Sequence, residues 1–241
     1  MNFRRLGIII LAVLAIFLGV HLVTHLMLSK NDEFPVSDEL ETAPGLSHYK
    51  LSDGYGYYRS AIPPNFSDDS PLVIYYHGAG ADENQGLDKL ARVRKEFEAR
   101  GYGYISPRYY EFQQLRKHLL NLHGPRDIYL IGGSRGGREV LEELIEHPNS
   151  YEGAILLCPA ILDVEANYDL SNLTTPILVA VGDADGISIS GSHELAEKCT
   201  TVELFIIPNG DHSSPYLAGG EAWLELVFSH VFSDSINRPT K

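Results

Sequence analysis

The sequence predicts an α/β fold with a mostly parallel central sheet and helices on both faces. Short apolar runs alternate along the chain with amphipathic stretches of helical periodicity. Several of the runs are apolar throughout, as strands buried on both sides of a parallel sheet are. The chain has 241 residues, of which 44% are apolar and 21% charged, so it is long enough for one domain with a substantial core.

The individual elements follow from these patterns in chain order. The predicted strands are residues 55–62, 72–76, 103–106, 128–131, 153–157, 177–181 and 202–207. The predicted helices are residues 83–100, 112–122, 135–146, 193–198 and 215–232. Alternation of strand and helix favours parallel pairing, and ligands of such sheets bind beyond the carboxyl ends of the strands. Residues that directly follow a strand are therefore candidates for a functional site.

An apolar segment without charge, residues 6–28, precedes the strands. As a helix it spans about 34 Å, which is enough to cross a bilayer. We expect a retained transmembrane helix rather than a cleaved signal peptide, because the segment is long and no small-residue cleavage site follows it. Arg4 and Arg5 precede the segment and acidic residues follow it. The positive-inside rule then puts residues 1–5 in the cytoplasm and the folded domain outside the cytoplasmic membrane, in the periplasm or the extracellular space.

Residues 29–47 are predicted to be an acidic tether, because they contain prolines and glycine without apolar periodicity. We expect the folded domain over residues 48–234 and a short tail over residues 235–241. The formal net charge of −13 argues against nucleic acid as a partner, since phosphate binding depends on clustered Lys and Arg. Two cysteines are too few for a disulfide framework, and we expect no bridge between them.

The sequence GGSRGG at residues 132–137 is the strongest chemical signal, and it lies between a predicted strand and a predicted helix. It contains G-x-S-x-G in the strand-turn-helix context that presents a serine as a nucleophile. Glycines suit such a turn because the strand and the helix approach closely. The same pattern also fits a simple tight connection or an anion site at a helix start, although the lysine of a phosphate-binding P-loop is absent.

Three further strand ends carry matching residues. HGAG at residues 77–80 can direct a backbone N–H at a developing oxyanion, whereas we expect His77 to hold this loop rather than to transfer protons. Asp183 and Asp185 follow a later strand, and His212 follows the last one. Serine, acid and histidine in this order, each placed after its own strand, predict a catalytic triad.

The segments HGAG, GGSRGG, GDAD and GDH resemble the α/β-hydrolase superfamily over about residues 54–232. Within it the chain is similar to small esterases without a cap domain, of the carboxylesterase, dienelactone-hydrolase and feruloyl-esterase types. The resemblance implies that Ser134 is the nucleophile and His212 the general base and acid. It implies an oxyanion hole from the N–H groups of Ala79 and Arg135, and no cofactor or metal. The usual G-x-x-D spacing favours Asp185 as the acid and leaves Asp183 as the alternative.

Candidate substrate contacts are His77, Gly78, Arg135 and Tyr109. An arginine directly after the nucleophile is less typical of the family. It can bind an acidic substrate group or pair with an acid on the surface. The connection before residue 177 is too short for a large lid, so we expect a shallow and open pocket.

These features predict a membrane-anchored serine hydrolase, most simply a carboxylic ester hydrolase that acts on a small-molecule ester through an acyl-enzyme. One alternative is a serine peptidase of the same fold, since relatives of prolyl oligopeptidase share the GGSxGG sequence. A non-catalytic binding protein that keeps the fold is the other. The intact Ser, Asp and His argue against a binding protein.

Overall fold

Eight strands form one sheet in the computed structural model, which describes residues 46–50, 54–217 and 220–232. They are β1 (Leu46–Lys50), β2 (Tyr55–Ala61), β3 (Leu72–Tyr76), β4 (Gly103–Pro107), β5 (Ile128–Gly133), β6 (Gly153–Leu157), β7 (Ile177–Gly182) and β8 (Val202–Ile207). Their spatial order is β1-β2-β4-β3-β5-β6-β7-β8. The β1–β2 and β2–β4 pairs are antiparallel and all other neighbours are parallel, which confirms the predicted mostly parallel sheet.

Helices connect the parallel strands. They are α1 (Asn84–Asp88), α2 (Ala91–Ala99), α3 (Phe112–His123), α4 (Arg135–Glu146), α5 (Val164–Asn167) and α6 (Ile189–Lys198). After β8 come a 3₁₀ turn (Ser214–Tyr216) and a helical stretch made of a 3₁₀ turn (Gly220–Trp223), the short α7 (Leu224–Leu226) and a π turn (Val227–Val231).

Alternating strand residues build one apolar layer on each face of the sheet. In β3, Leu72 and Ile74 pack into one layer, and Val73 and Tyr75 pack into the other. The first layer is completed by α3, α4 and α6, and the second by α1, α2 and the last helical stretch. Helices therefore cover both faces, as the sequence predicts.

Two predicted helices were too long. The helix expected over residues 83–100 is divided into α1 and α2, because Leu90 takes a non-helical conformation (φ −97°, ψ 28°) with a buried side chain. Burial of that side chain outweighs helix continuity. The helix expected over residues 215–232 is likewise divided among 3₁₀, α and π turns.

The N-terminal boundary of the sheet also differs from expectation, because β1 begins at Leu46, inside the stretch predicted as tether. Several predictions concern residues outside those that the structure describes. They are the predictions for residues 1–5, for the transmembrane helix at residues 6–28, for most of the tether and for the C-terminal tail. Within the described part of the chain, no helix combines the length and the apolar character that crossing a bilayer requires.

Candidate active site

Ser134 occupies the turn between β5 and α4 in a backbone conformation of φ 53° and ψ −115°. Residues with side chains rarely adopt positive φ, and such strain costs on the order of 1–3 kcal/mol. Backbone hydrogen bonds hold the turn in place: Ser134 N donates to Leu157 O at 2.8 Å, and Ser134 O accepts from Gly137 N and Ala160 N, both at 3.0 Å. The serine is therefore fixed just beyond the carboxyl end of a central strand.

The glycines around Ser134 are required by close contacts between backbones. A Cβ on Gly132 would overlap the carbonyl oxygen of Gly136, and a Cβ on Gly136 would overlap the carbonyl oxygen of Tyr76. Because these neighbours are main-chain atoms, no side-chain rotation could relieve the overlap. As the sequence predicts, the glycines of GGSRGG allow β5, α4 and β3 to approach one another closely.

The structure brings Ser134, His212 and Asp185 together. His212 Nε2 lies 2.9 Å from Ser134 Oγ, and His212 Nδ1 lies 2.8 Å from Asp185 Oδ2. The second carboxylate oxygen, Oδ1, accepts hydrogen bonds from the amides of Ile187 at 3.0 Å and Ser188 at 3.2 Å. Asp185 is buried, whereas the His212 side chain is 36% exposed. The acid is held rigidly, and the imidazole remains open to solvent.

Asp183 lies on the same turn but is exposed, and the acidic partner of His212 is Asp185. The turn is set by the neighbouring loop before His212: Ala184 N donates to Gly210 O at 2.8 Å, and a Cβ on Gly182 would overlap that same oxygen. This close approach places Asp185, directly after Ala184, under the imidazole.

The loop after β3 lies directly beside Ser134. A Cβ on Gly78 would be 3.3 Å from Ser134 Cβ. Neither the amide of Ala79 nor that of Arg135 has a hydrogen-bond acceptor among the described residues. Both amides are thus available to a ligand oxygen, and an oxyanion hole needs donors of this kind.

The other predicted substrate contacts have different roles in the structure. His77 is buried, and its Nδ1 lies 2.9 Å from Gly78 O and its Nε2 lies 2.8 Å from Arg108 O, so the imidazole is enclosed between this loop and the end of β4. Arg135 Nε donates to Glu139 Oε1 at 3.2 Å, which corresponds to the acid-pairing alternative. Tyr109 is half-buried in the loop after β4, and it makes no hydrogen bond to Ser134 or His212 among the described residues.

Three residues near the triad were not predicted from the sequence. Ser188 Oγ donates to Cys158 O at 2.9 Å and lies 3.4 Å from His212 Nδ1. Cys158 Sγ donates to Tyr216 Oη at 3.3 Å, and Tyr216 Oη donates to Leu157 O at 3.3 Å. Cys158 and Ser188 could have been found by their positions, since one directly follows β6 and the other follows Asp185 by three residues.

Cys158 has the chemistry of a packed thiol rather than of a nucleophile, because burial raises its pKa to about 12. Its sulfur and the donor atoms of Asp185 and His212 lie within 4.8 Å of one another, as metal ligands can. Hydrogen bonds to Tyr216 and within the triad already engage all three groups. Cys158 and Cys199 are both free and buried, which confirms that they are not bridged.

Neither a protein-family model nor a curated protein sequence matches this chain, but solved structures do. Est1E from Butyrivibrio proteoclasticus is similar with a TM-score of 0.67 and 16% identity, over 80% of this chain and 100% of that one. A dienelactone hydrolase from Anabaena variabilis has a TM-score of 0.60 and 16% identity, over 78% of this chain and 98% of that one. An α/β serine hydrolase homologue from Coxiella burnetii has a TM-score of 0.62 and 13% identity, over 78% of this chain and 97% of that one. At these identities the similarity establishes the architecture, and the chain has the α/β-hydrolase fold.

Proposed function

We propose that the protein is a serine hydrolase that cleaves carboxylic esters through an acyl-enzyme. The observation that carries the proposal is the continuous hydrogen-bonded chain from Ser134 Oγ through the two nitrogens of His212 to the buried carboxylate of Asp185. A serine hydroxyl is a weak nucleophile by itself, and an imidazole oriented by an acid is the arrangement that activates it.

In the proposed reaction, His212 Nε2 accepts the Ser134 proton while Oγ attacks the ester carbonyl carbon. Asp185 keeps the other imidazole proton on Nδ1 and stabilises the imidazolium that forms. The amides of Ala79 and Arg135 bind the oxyanion of the tetrahedral intermediate. His212 then donates its proton to the leaving alcohol, and a water molecule repeats the same steps to release the acid.

Two observations support a small-molecule ester as substrate. The connection between β6 and β7 contains the four-residue helix α5, which leaves little chain for a lid over Ser134. A solved structure of Est1E, to which the fold is similar, holds bound ferulic acid. We further propose, from the sequence of residues 6–28, that the protein is anchored in the cytoplasmic membrane with this domain outside the cytoplasm.

The test is to label the protein with a fluorophosphonate and to assay a panel of esters and peptides. We expect labelling at Ser134 and turnover of esters. Ser134→Ala should abolish labelling and lower kcat by about 10⁶, and an added His212→Ala should cost little more, because the triad acts as a unit. Turnover of peptides and not of esters would favour the peptidase alternative. A wild-type protein that is neither labelled nor active would refute the proposal.

A further inference from the structure

The segment from His77 to Glu83, here called the oxyanion loop, leaves β3 and enters α1. It carries the amide of Ala79 proposed to bind the oxyanion. Ala79 and Gly80 are both exposed, and Gly80 has φ 72°, so the tip of the loop gains little from packing. One hydrogen bond, from Ala81 N to Gly78 O at 3.3 Å, spans the tip, and further hydrogen bonds are made at the two ends of the loop.

The first end of the loop is fixed by hydrogen bonds from outside it. His77 Nε2 bonds to the backbone oxygen of Arg108 at 2.8 Å, and Tyr110 Oη donates to His77 O at 2.6 Å. Gly78 N donates to Gln85 Oε1 at 3.1 Å. Arg108 and Tyr110 both follow β4, so the end of this strand forms one wall of the loop.

The second end is fixed by an ion pair with the same residue. Arg108 Nε donates to Glu83 Oε2 at 2.7 Å, and Arg108 Nη2 donates to Glu83 Oε1 at 2.8 Å. The Glu83 side chain is 4% exposed and the Arg108 side chain is 19% exposed. Arg108 thus contacts both ends of the oxyanion loop, one through its carbonyl oxygen and the other through its guanidinium.

We propose that Arg108 is a positioning residue for the reaction, which holds both ends of the oxyanion loop so that the Ala79 N–H stays directed at the oxyanion. This inference rests on the proposed function. A buried ion pair is an inefficient way to stabilise a fold, because both charges lose their hydration. A bidentate Arg–carboxylate pair does fix a geometry, and a preorganised donor is what an oxyanion hole needs.

Arg108 does not fit the role of a substrate-binding residue. Two of its guanidinium nitrogens are already used by Glu83, and the carboxylate neutralises its charge. An anionic substrate group that bound the same two nitrogens would have to displace a nearly buried carboxylate, and one that bound Nη1 would lie beside the negative charge of that carboxylate. The effect of Arg108 should therefore appear in the transition state rather than in substrate affinity.

The experiment uses Arg108→Lys and Glu83→Gln, which keep a polar group of similar size but lose the bidentate pair. We expect kcat to fall about 10- to 100-fold, less than the 10²–10³ typical of a deleted oxyanion donor. KM should stay within about threefold, since a defect confined to the transition state leaves ground-state binding intact. The affinity for an alkyl boronic acid, which forms a tetrahedral adduct on the serine, should fall in parallel with kcat.

The matched control is Arg94→Lys, because Arg94 and Glu98 form an ion pair at 2.8 Å on α2, outside the oxyanion loop. This variant should leave kcat, KM and boronate affinity unchanged. Hydrogen exchange provides a readout that does not need activity: the two test variants should exchange faster in residues 77–83 and not elsewhere. If Arg108→Lys fails to fold, Glu83→Gln carries the test.

The inference is overturned if kcat, boronate affinity and loop exchange of both variants match the wild type. It is also overturned if exchange rises throughout the domain together with the loss of kcat, since Arg108 would then act on overall stability. Failure of the proposed function gives a different result, namely a wild-type protein that no fluorophosphonate labels. In that case exchange of the loop still decides whether Arg108 fixes it.

Discussion

Replacement of Asp185 by Asn tests the triad more sharply than removal of the nucleophile, because the structure determines how the amide must sit. In the native protein Oδ1 accepts two backbone N–H groups, from Ile187 and Ser188. The amide oxygen of the new side chain has to take that position, since an amide nitrogen there would face two donors. Its NH₂ group would then face His212 Nδ1, where Asp185 Oδ2 now lies at 2.8 Å.

This orientation changes the tautomer of the imidazole. With a donor opposite Nδ1, His212 carries its proton on Nε2, the nitrogen that lies 2.9 Å from Ser134 Oγ. It can then no longer accept the serine proton. We expect kcat to fall by about 10⁴, as an Asp-to-Asn change does in such triads, which corresponds to about 5 kcal/mol of transition-state stabilisation. The volume of the residue is nearly unchanged, so folding should be preserved.

The assay is steady-state hydrolysis of an activated ester, with thermal unfolding measured on the same samples. Asp183→Asn is the matched control, because Asp183 lies on the same turn and is exposed, and the carboxylate that bonds to His212 is that of Asp185. It should leave kcat within about threefold. A stable Asp185→Asn protein that kept more than about a tenth of its activity would refute the reasoning. A larger loss in Asp183→Asn would give the acid role to Asp183.

Three further outcomes are expected. Gly136→Ala should destabilise the fold by about 1–3 kcal/mol or more in urea unfolding, because its Cβ would overlap the carbonyl oxygen of Tyr76; unchanged stability would contradict the packing described for the turn. Burial raises the pKa of Glu143 in the folded protein, although Tyr151 and a glutamine donate hydrogen bonds to its carboxylate. The stability that this group contributes therefore falls as the pH rises from the pKa of the unfolded chain through the higher pKa of the folded protein. The Tm of Glu143→Gln should therefore exceed that of the wild type most at about pH 8, and the two Tm values should approach each other near pH 4.5. A Tm difference that does not change with pH would exclude this titration. Mass spectrometry of membrane-extracted protein should find residues 6–28 still present, and a first residue beyond about position 30 would exclude the proposed anchor.

Three of the strands could be predicted to the residue. β3, β6 and β8 begin and end where the sequence predicts, because each is a largely apolar run bounded by polar residues or turns. β1 was missed because LSHYK has little apolar pattern, and it becomes a strand through antiparallel pairing with β2. Local sequence carries no signal for such a distant partner.

The site was predictable in its residue types and less so in its geometry. Strand ends identified Ser134 and His212, because chemistry in this fold lies at one edge of the sheet. The preference for Asp185 over Asp183 came from a family spacing, whereas its physical cause is the contact between two turns at Gly182 and Gly210. The pairing of Arg108 with a glutamate 25 residues earlier could not be foreseen, since neither residue lies in a recognisable motif.

The backbone conformation of Ser134 costs the fold stability at the position that carries the proposed nucleophile. Its φ of 53° and ψ of −115° fall in a region that glycine enters freely and residues with a Cβ avoid. A glycine at this position would therefore relieve the backbone strain but would lose the hydroxyl. The hydroxyl of Ser134 is thus held in place at a cost in fold stability that a glycine there would avoid.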